Sequence, residues 1–297
     1  MHLPSTFRQR LAMMFLLPCL TLCLPACTTS LRNLMPAAAP SGPGGEELER
    51  IGDSMRERGE LQMAFVQYEK ALGLRPNDPV LIYKEGLVSL AADRKEDALK
   101  EFNKAIAIDP KLAPAYAAMG DAYFGKGDME KARNAFFMAL KLDPMLWNCR
   151  NKLGLIYDRR GQHYLAVLEY RQAIELRPRD GALYNNLGGS YTYSQEYDAA
   201  IDAFNRAIDL NFTDKKVHNN LGLALGRSQR YDAALGAFRE AGREAQAQNN
   251  LGVVYLNQKI YDKAIQAFEK AIELEPAFYV IADENLKKAR TAMGQQQ

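Results

Sequence analysis

Apolar and polar positions along this chain repeat at a long fixed period. From residue 45 a glycine recurs at Gly52, Gly86, Gly120, Gly154, Gly188, Gly222 and Gly252, in steps of 34 residues except the last, which is 30. An alanine recurs in the same steps at Ala64, Ala98, Ala132, Ala166, Ala200, Ala234 and Ala264. Four residues after each comes an aromatic (Tyr68, Phe102, Phe136, Tyr170, Phe204, Phe238, Phe268), and three further on another alanine (Ala71, Ala105, Ala139, Ala173, Ala207, Ala241, Ala271). Proline closes most units, at Pro76, Pro110, Pro144, Pro178 and Pro276.

Residues 113–146 show what one unit does. Tyr116, Met119, Gly120 and Tyr123 fall on one face of a predicted helix. Gly127-Asp128 breaks it, and Asp128 is a good N-cap for the next. Ala132, Phe136 and Ala139 mark the buried face of that second helix. Gly120 and Ala132 let the two helices approach closely while the aromatic fills the space alongside. Proline disfavours helix at the residue before it, so Asp143-Pro144 ends the unit. One such hairpin cannot bury its apolar face alone, so the units must stack into a solenoid.

A 34-residue helix–turn–helix period with this small and large pattern resembles the tetratricopeptide repeat. The resemblance implies an all-α right-handed superhelix of seven units, 45–78, 79–112, 113–146, 147–180, 181–214, 215–244 and 245–278. Residues 279–297 then supply a capping helix and tail; Leu286, Lys287 and Lys288 mix apolar and charged faces, as a solvating cap needs. The sixth unit lacks four residues, about one helical turn, between Ala241 and Gly252. This predicts a tight, proline-free junction near Gly242-Arg243 with altered stacking. Phe212 stands where the fifth unit would carry its closing proline.

The first 44 residues differ. Residues 1–10 carry Arg8 and Arg10, and residues 11–24 are almost wholly apolar. Fourteen residues of helix rise about 21 Å, short of a roughly 30 Å hydrocarbon core. A cationic end followed by a short apolar run is the pattern of an export signal. Leu24-Pro25-Ala26-Cys27 resembles a bacterial lipobox, although Pro25 departs from it. The resemblance implies cleavage after residue 26, a lipid on Cys27 and, with Thr28 in place of aspartate, an outer-membrane location. An ordinary secretory signal cut near Ala26, with Cys27 incidental, is the alternative. Residues 27–44, rich in Ser, Thr, Pro, Ala and Gly, then form a tether reaching about 20–25 Å.

Charge narrows the partner. Removing Arg8 and Arg10 leaves Lys and Arg equal in number to Asp and Glu, at 36 each. A chain near neutrality has no broad field to hold phosphates, so nucleic acid is a poor fit. Of four cysteines only Cys149 lies in the body, too few for a disulfide framework or a zinc cage. It is expected to be a half-buried small residue. No phosphate loop, zinc helix or nucleophile elbow occurs. His163 and His218 lack a matching ligand or nucleophile, so they are expected to serve packing or surface. The repeating tyrosines, among them Tyr157, Tyr191 and Tyr255, are expected in the packing between helices. The reading is therefore no enzyme, no cofactor, no metal and no small-molecule substrate.

Binding remains. Three successive first helices carry Asn185-Asn186-Leu187-Gly188, Asn219-Asn220-Leu221-Gly222 and Asn249-Asn250-Leu251-Gly252, and the preceding one has Asn151-Lys152. A side-chain amide both donates and accepts, so a row of them suits an extended peptide backbone. This resembles the asparagine ladder on the concave face of some tetratricopeptide superhelices. It implies that Asn186, Asn220 and Asn250 face the groove, with Lys152, Arg159, Tyr193, Lys216, Arg227 and Asn257 nearby. The alternative is that the asparagines satisfy backbone groups between neighbouring units and touch no ligand. Lipobox, tether and solenoid together resemble pilus-biogenesis lipoproteins, the type IV pilotins and the TadD-like proteins of tight-adherence (Flp) pili. That implies a scaffold for a secretin or pilus assembly. Adaptor lipoproteins for peptidoglycan hydrolases, or a regulatory arm of an enzyme complex, are the other classes that fit.

Overall fold

The computed structural model describes residues 43–212, 214–275 and 279–295. The signal, Cys27, most of the tether and Pro276 lie outside the described residues. Fifteen helices and no strand occur among the described residues. They form seven hairpins: α1 (Gly45–Glu57) with α2 (Leu61–Leu74), α3 (Pro79–Ala91) with α4 (Lys95–Ile108), α5 (Ala113–Lys126) with α6 (Met129–Leu142), α7 (Trp147–Arg159) with α8 (His163–Leu176), α9 (Gly181–Tyr193) with α10 (Tyr197–Asp209), α11 (Lys215–Arg227) with α12 (Tyr231–Ala241), and α13 (Glu244–Asn257) with α14 (Tyr261–Leu274). A last helix, α15 (Tyr279–Gly294), covers the end. The all-α solenoid read from the sequence is the fold observed.

Each hairpin is closed by one contact. A Cβ added to the recurring glycine would lie 2.4–2.7 Å from the ring of the recurring aromatic, as for Gly120 against Phe136 and Gly188 against Phe204. The ring occupies the space a side chain would need. All seven rings and both sets of alanines are buried.

The turn between paired helices needs a left-handed residue. Gly127 supplies it at φ 82°, and the Asp128 side chain then accepts from the backbone N–H of Lys131. Gly59 and Gly161 sit at the same turn position, but Asp93, Gln195, Gln229 and Lys259 fill it elsewhere with φ of 59–65°. A non-glycine residue there costs about 1–2 kcal/mol, so packing, not local preference, holds those four turns.

Between units, four or five residues join one hairpin to the next as far as α11, but only Gly242 and Arg243 join α12 to α13. Gly242 is extended, and the Gln246 side chain accepts from the Arg243 N–H at 3.3 Å. Here the core loosens slightly: Ala241 (7 % exposed) and Phe238 (4 %) are the least buried members of their sets. Phe212, in place of a proline, caps α10. Asn211 turns left-handed, the Phe212 N–H donates to the Ala207 carbonyl at 3.1 Å, and its Cβ packs against Gly181. Consecutive first helices (α7 with α9, α9 with α11, α11 with α13) pack more closely than consecutive second helices, so the first helices form the inner layer.

One core position is unlike its equivalents. Glu85 stands where other units have Leu153, Leu187, Leu221 and Leu251. It is buried, and its Oε1 has no hydrogen-bond partner. Burial, reinforced by Glu101 and Glu69, pushes its carboxyl up to about 7. The folded state therefore binds this proton more tightly than the unfolded chain does. The associated stability is complete below the unfolded value of 4.5 and is lost as pH rises through about 7.

Two outcomes are expected. Glu85→Leu should stabilise more at pH 8 than at pH 5, by a difference of about 2–3 kcal/mol; equal gains in urea midpoints at the two pH values would contradict the burial argument. Gly222→Ala should cost about 1–3 kcal/mol by pushing on the Phe238 ring. Gly236→Ala, on α12 where a Cβ meets nothing within 4 Å, should instead gain about 0.5–1 kcal/mol. Thermal shifts of the same sign in both variants would break the ring-on-glycine account.

Candidate interaction groove

The asparagine pairs come together as a ladder across the inner layer. Asn186 Nδ2 donates to Asn151 Oδ1 at 3.0 Å, Asn220 to Asn185 at 3.2 Å, Asn250 to Asn219 at 3.2 Å and Asn285 of the cap to Asn249 at 2.9 Å. The second asparagine of one unit thus bonds the first of the unit before it. The partners are side-chain amides, not the backbone groups of the alternative reading. Each link spends one of the two N–H groups on one Nδ2 and one lone pair of one Oδ1. Every second asparagine keeps its Oδ1, and Asn185 and Asn219 keep their Nδ2. Asn185, Asn186, Asn219, Asn220 and Asn250 are half-buried, and Asn249 is buried.

The ladder borders a cleft at the short unit. Asn219, Asn220 and Asn250 edge a cavity of about 230 Å³ whose apolar floor is Leu223, Phe238, Val253 and Val254. A second hollow of about 360 Å³ shares Asn219, Phe238 and Asn250 and runs on past Gly242 to Ile281. Larger hollows of about 560 and 610 Å³ lie among the turns around Arg230 and Arg179 and hold none of the ladder asparagines.

Of the remaining expected residues, Lys152 stands mid-helix at the repeat position of Asn186 and Asn220, and the others fall at the ends of the inner helices. Lys152 and Arg159 sit over the Phe124 ring, 4.8 and 4.7 Å from its centre. Lys152 Nζ is 3.5 Å from Asp121, whose carboxyl is raised by burial against the pull of that lysine. Arg227 reaches the Thr192 carbonyl at 3.5 Å. Tyr193 is exposed and stacks on His163, with ring centres 4.9 Å apart. Lys216 is exposed in the first turn of α11, and Asn257 is exposed at the end of α13. Arg159, Tyr193, Arg227 and Asn257 occupy one repeat position on four successive inner helices.

Sequence reasoning missed three polar joints. Asp158 accepts from Ser190 Oγ at 2.8 Å and Tyr170 OH at 3.1 Å, and lies 3.0 Å from His163 Nδ1. It ties the fourth unit to the fifth, and burial together with this carboxylate drives the Tyr170 hydroxyl up. In the first unit Tyr68 OH donates to Asp53, which also holds Lys84 of the next unit at 2.7 Å. The signal was present: tyrosine replaces phenylalanine at the ring position where a facing helix offers an aspartate. Gln258 makes the third joint, donating to the Gly226 carbonyl at 2.9 Å and accepting from Tyr231 OH. Tyr157 and Tyr255 are buried in the helix packing as expected, and Tyr191 is half-buried there. Cys149 corrects the expectation of half-burial. It is fully buried, at the position of Leu81, Leu183 and Val217, and burial pushes its thiol up to about 12, which leaves it unreactive.

Comparison with known proteins agrees with this architecture. Profiles of the tetratricopeptide repeat match residues 245–278, 113–144 and 148–180. A further TPR repeat profile matches 94–127 and 188–229, and together the matches take in more than half of the chain. Among curated proteins, the TPR repeat-containing thioredoxin TTL4 of Arabidopsis thaliana is 30 % identical over 32 % of this chain and 14 % of its own length. The heat-shock protein cognate (HSC) co-chaperone sgt12 of Aspergillus fumigatus is 27 % identical over 33 % of this chain and 28 % of its own. The chain thus spans less than a third of either relative. Among solved structures, a tetratricopeptide repeat protein from Parabacteroides merdae has a TM-score of 0.56 at 20 % identity, covering 84 % of this chain and all of the other. MamA has a TM-score of 0.50 at 28 % identity, covering 56 % of this chain and 97 % of its own. Since the profile matches fall on the same hairpins that the glycine–ring contact builds, the chain belongs to the tetratricopeptide-repeat family.

Proposed function

We propose that the chain is a non-enzymatic scaffold that grips an extended polypeptide along its inner layer and is held to a membrane by a lipid on Cys27. The observation that carries the binding reading is the ladder. Its amides are locked sideways to one another, yet the half-buried ones keep hydrogen-bonding capacity beyond the link, beside a cleft with an apolar floor. Locked amides lose little freedom when a peptide backbone replaces water on them, which favours binding by preorganisation. Tetratricopeptide arrays serve as protein-binding scaffolds, and one relative is named as a co-chaperone, which fits. The anchoring reading rests on the sequence of residues 1–44, and the role in assembling a pilus or secretion complex on the resemblance of lipobox, tether and solenoid taken together.

Asn185→Asp with Asn219→Asp separates ladder from groove. A carboxylate still accepts the neighbour's Nδ2, so thermal stability and helicity should hold, while the donors offered to a peptide are lost. Affinity for a labelled pool of degenerate dodecapeptides should fall at least about tenfold, the loss of roughly one neutral hydrogen bond per site. Unchanged affinity would move the binding surface off the inner layer. Cys27→Ser should shift the protein from the membrane to the soluble fraction of the cells that make it; retention in membranes would remove the lipid from the account.

A further inference from the structure

This inference rests on the groove reading and names the chemistry of its ligand. We infer that the inner face of α7, α9 and α11 takes an acidic, extended segment with one large apolar side chain seated over Gly189.

Charge is the first argument. The chain as a whole is near neutral, but its inner helices are not. α7, α9 and α11 contain a single carboxylate, Asp158, whose oxygens are already taken by Ser190, Tyr170 and His163. α9 has no Asp, Glu, Lys or Arg at all. Arg159 and Arg227, at one repeat position on either side of it, have no carboxylate partner among the described residues. By contrast α1, at the other end of the stack, carries five carboxylates against two arginines. A cationic stretch flanking a neutral helix is complementary to acidic residues on either side of a neutral one.

Shape is the second. Asn186, Gly189 and Tyr193 lie at i, i+3 and i+7, one stripe of α9. The repeat puts Leu155 and Leu223, both half-buried, at the position of Gly189 on the helices either side. A Cβ on Gly189 would meet nothing within 4 Å, unlike one on the ring-bearing glycines. A mid-helix glycine costs about 1 kcal/mol against alanine, and no contact within this chain requires it here. The result is a notch between two apolar side chains, beside the amides of Asn186 and Asn220. Neighbouring helices lie about 8–10 Å apart, which puts Arg159 and Arg227 roughly 16–20 Å apart. That distance matches about five or six residues of extended chain at ~3.3 Å each. Residues 28–44 of this chain contain no Asp or Glu, so its own tether does not meet the requirement.

The test uses labelled dodecapeptides with Gly and Ser spacers, read by fluorescence anisotropy. One has a central Leu with Asp two or three residues to each side. A second replaces Leu by Gly, a third replaces Asp by Lys, and oligothymidylate of equal charge is the fourth probe. The Asp–Leu peptide should bind tightest. Loss of its leucine or reversal of its charge should each weaken it about tenfold or more, given the value of burying one Leu. Gly189→Leu should melt no lower than the parent and bind the Asp–Leu peptide no better than the Asp–Gly one; Gly189→Ala should fall between. Arg159→Gln with Arg227→Gln should flatten the salt dependence. Equal binding of the Asp–Leu peptide to Gly189→Leu, or equal affinity for the Lys peptide or oligothymidylate, overturns the inference. If acidic and basic peptides bind alike and the Asn185→Asp, Asn219→Asp variant loses both, the groove reading stands without it. Binding of no probe ends both.

Discussion

An aromatic ring resting where a side chain would begin is the contact on which this structure depends. At Gly120 the ring of Phe136 lies so close that a methyl group would overlap it, and the same holds in all seven hairpins. That contact sets the distance between paired helices, and the buried alanines on each side of the ring let the helices close around it. Interiors pack like organic crystals, so such a tight fit admits little variation at these positions. The outer and inner surfaces are correspondingly free, because hairpin closure and stacking use a small, repeated set of residues.

This is also why the fold was legible. Sterically forced positions repeat in kind, so glycine, alanine and aromatic recur on schedule. Positions set by the assembled stack do not. Four of the seven turns place Asp93, Gln195, Gln229 and Lys259 in a left-handed conformation; aspartate tolerates it, but nothing in glutamine or lysine announces it. The burial of Cys149 is legible in the repeat, since it aligns with Leu81, Leu183 and Val217. Phe212 marks a departure from the proline pattern, yet that it caps α10 and packs on Gly181 follows only from the fold of the linker.

The candidate site was half legible. The asparagine pairs stand out in the sequence, and side-chain chemistry says what amides can do. Which amide bonds which depends on helices from successive units lying side by side, a separation of 35 residues for Asn186 and Asn151. Local charge was hidden for a related reason. Equal totals of acid and base suggest a featureless surface, but the solenoid deals its residues out by helix. It sets α1 apart from α7, α9 and α11, and so converts a neutral composition into a polar one. Asp158 shows the same effect at one residue: a carboxylate on an inner helix is consumed in joining two units.

The shortened sixth unit has a geometric consequence. The amide link from Asn250 to Asn219 spans it at the same length as the link before it, so the inner layer keeps step across the deletion. The missing residues come wholly from α12 and from the linker, which is cut to Gly242 and Arg243. The shortened linker itself borders the inner layer there: Gly242 lines the same hollow as Asn219, Asn249 and Asn250. The hollows edged by Asn219 and Asn250 therefore lie against the shortened junction, and losing about one turn of chain there sets the wall of an opening on the inner layer.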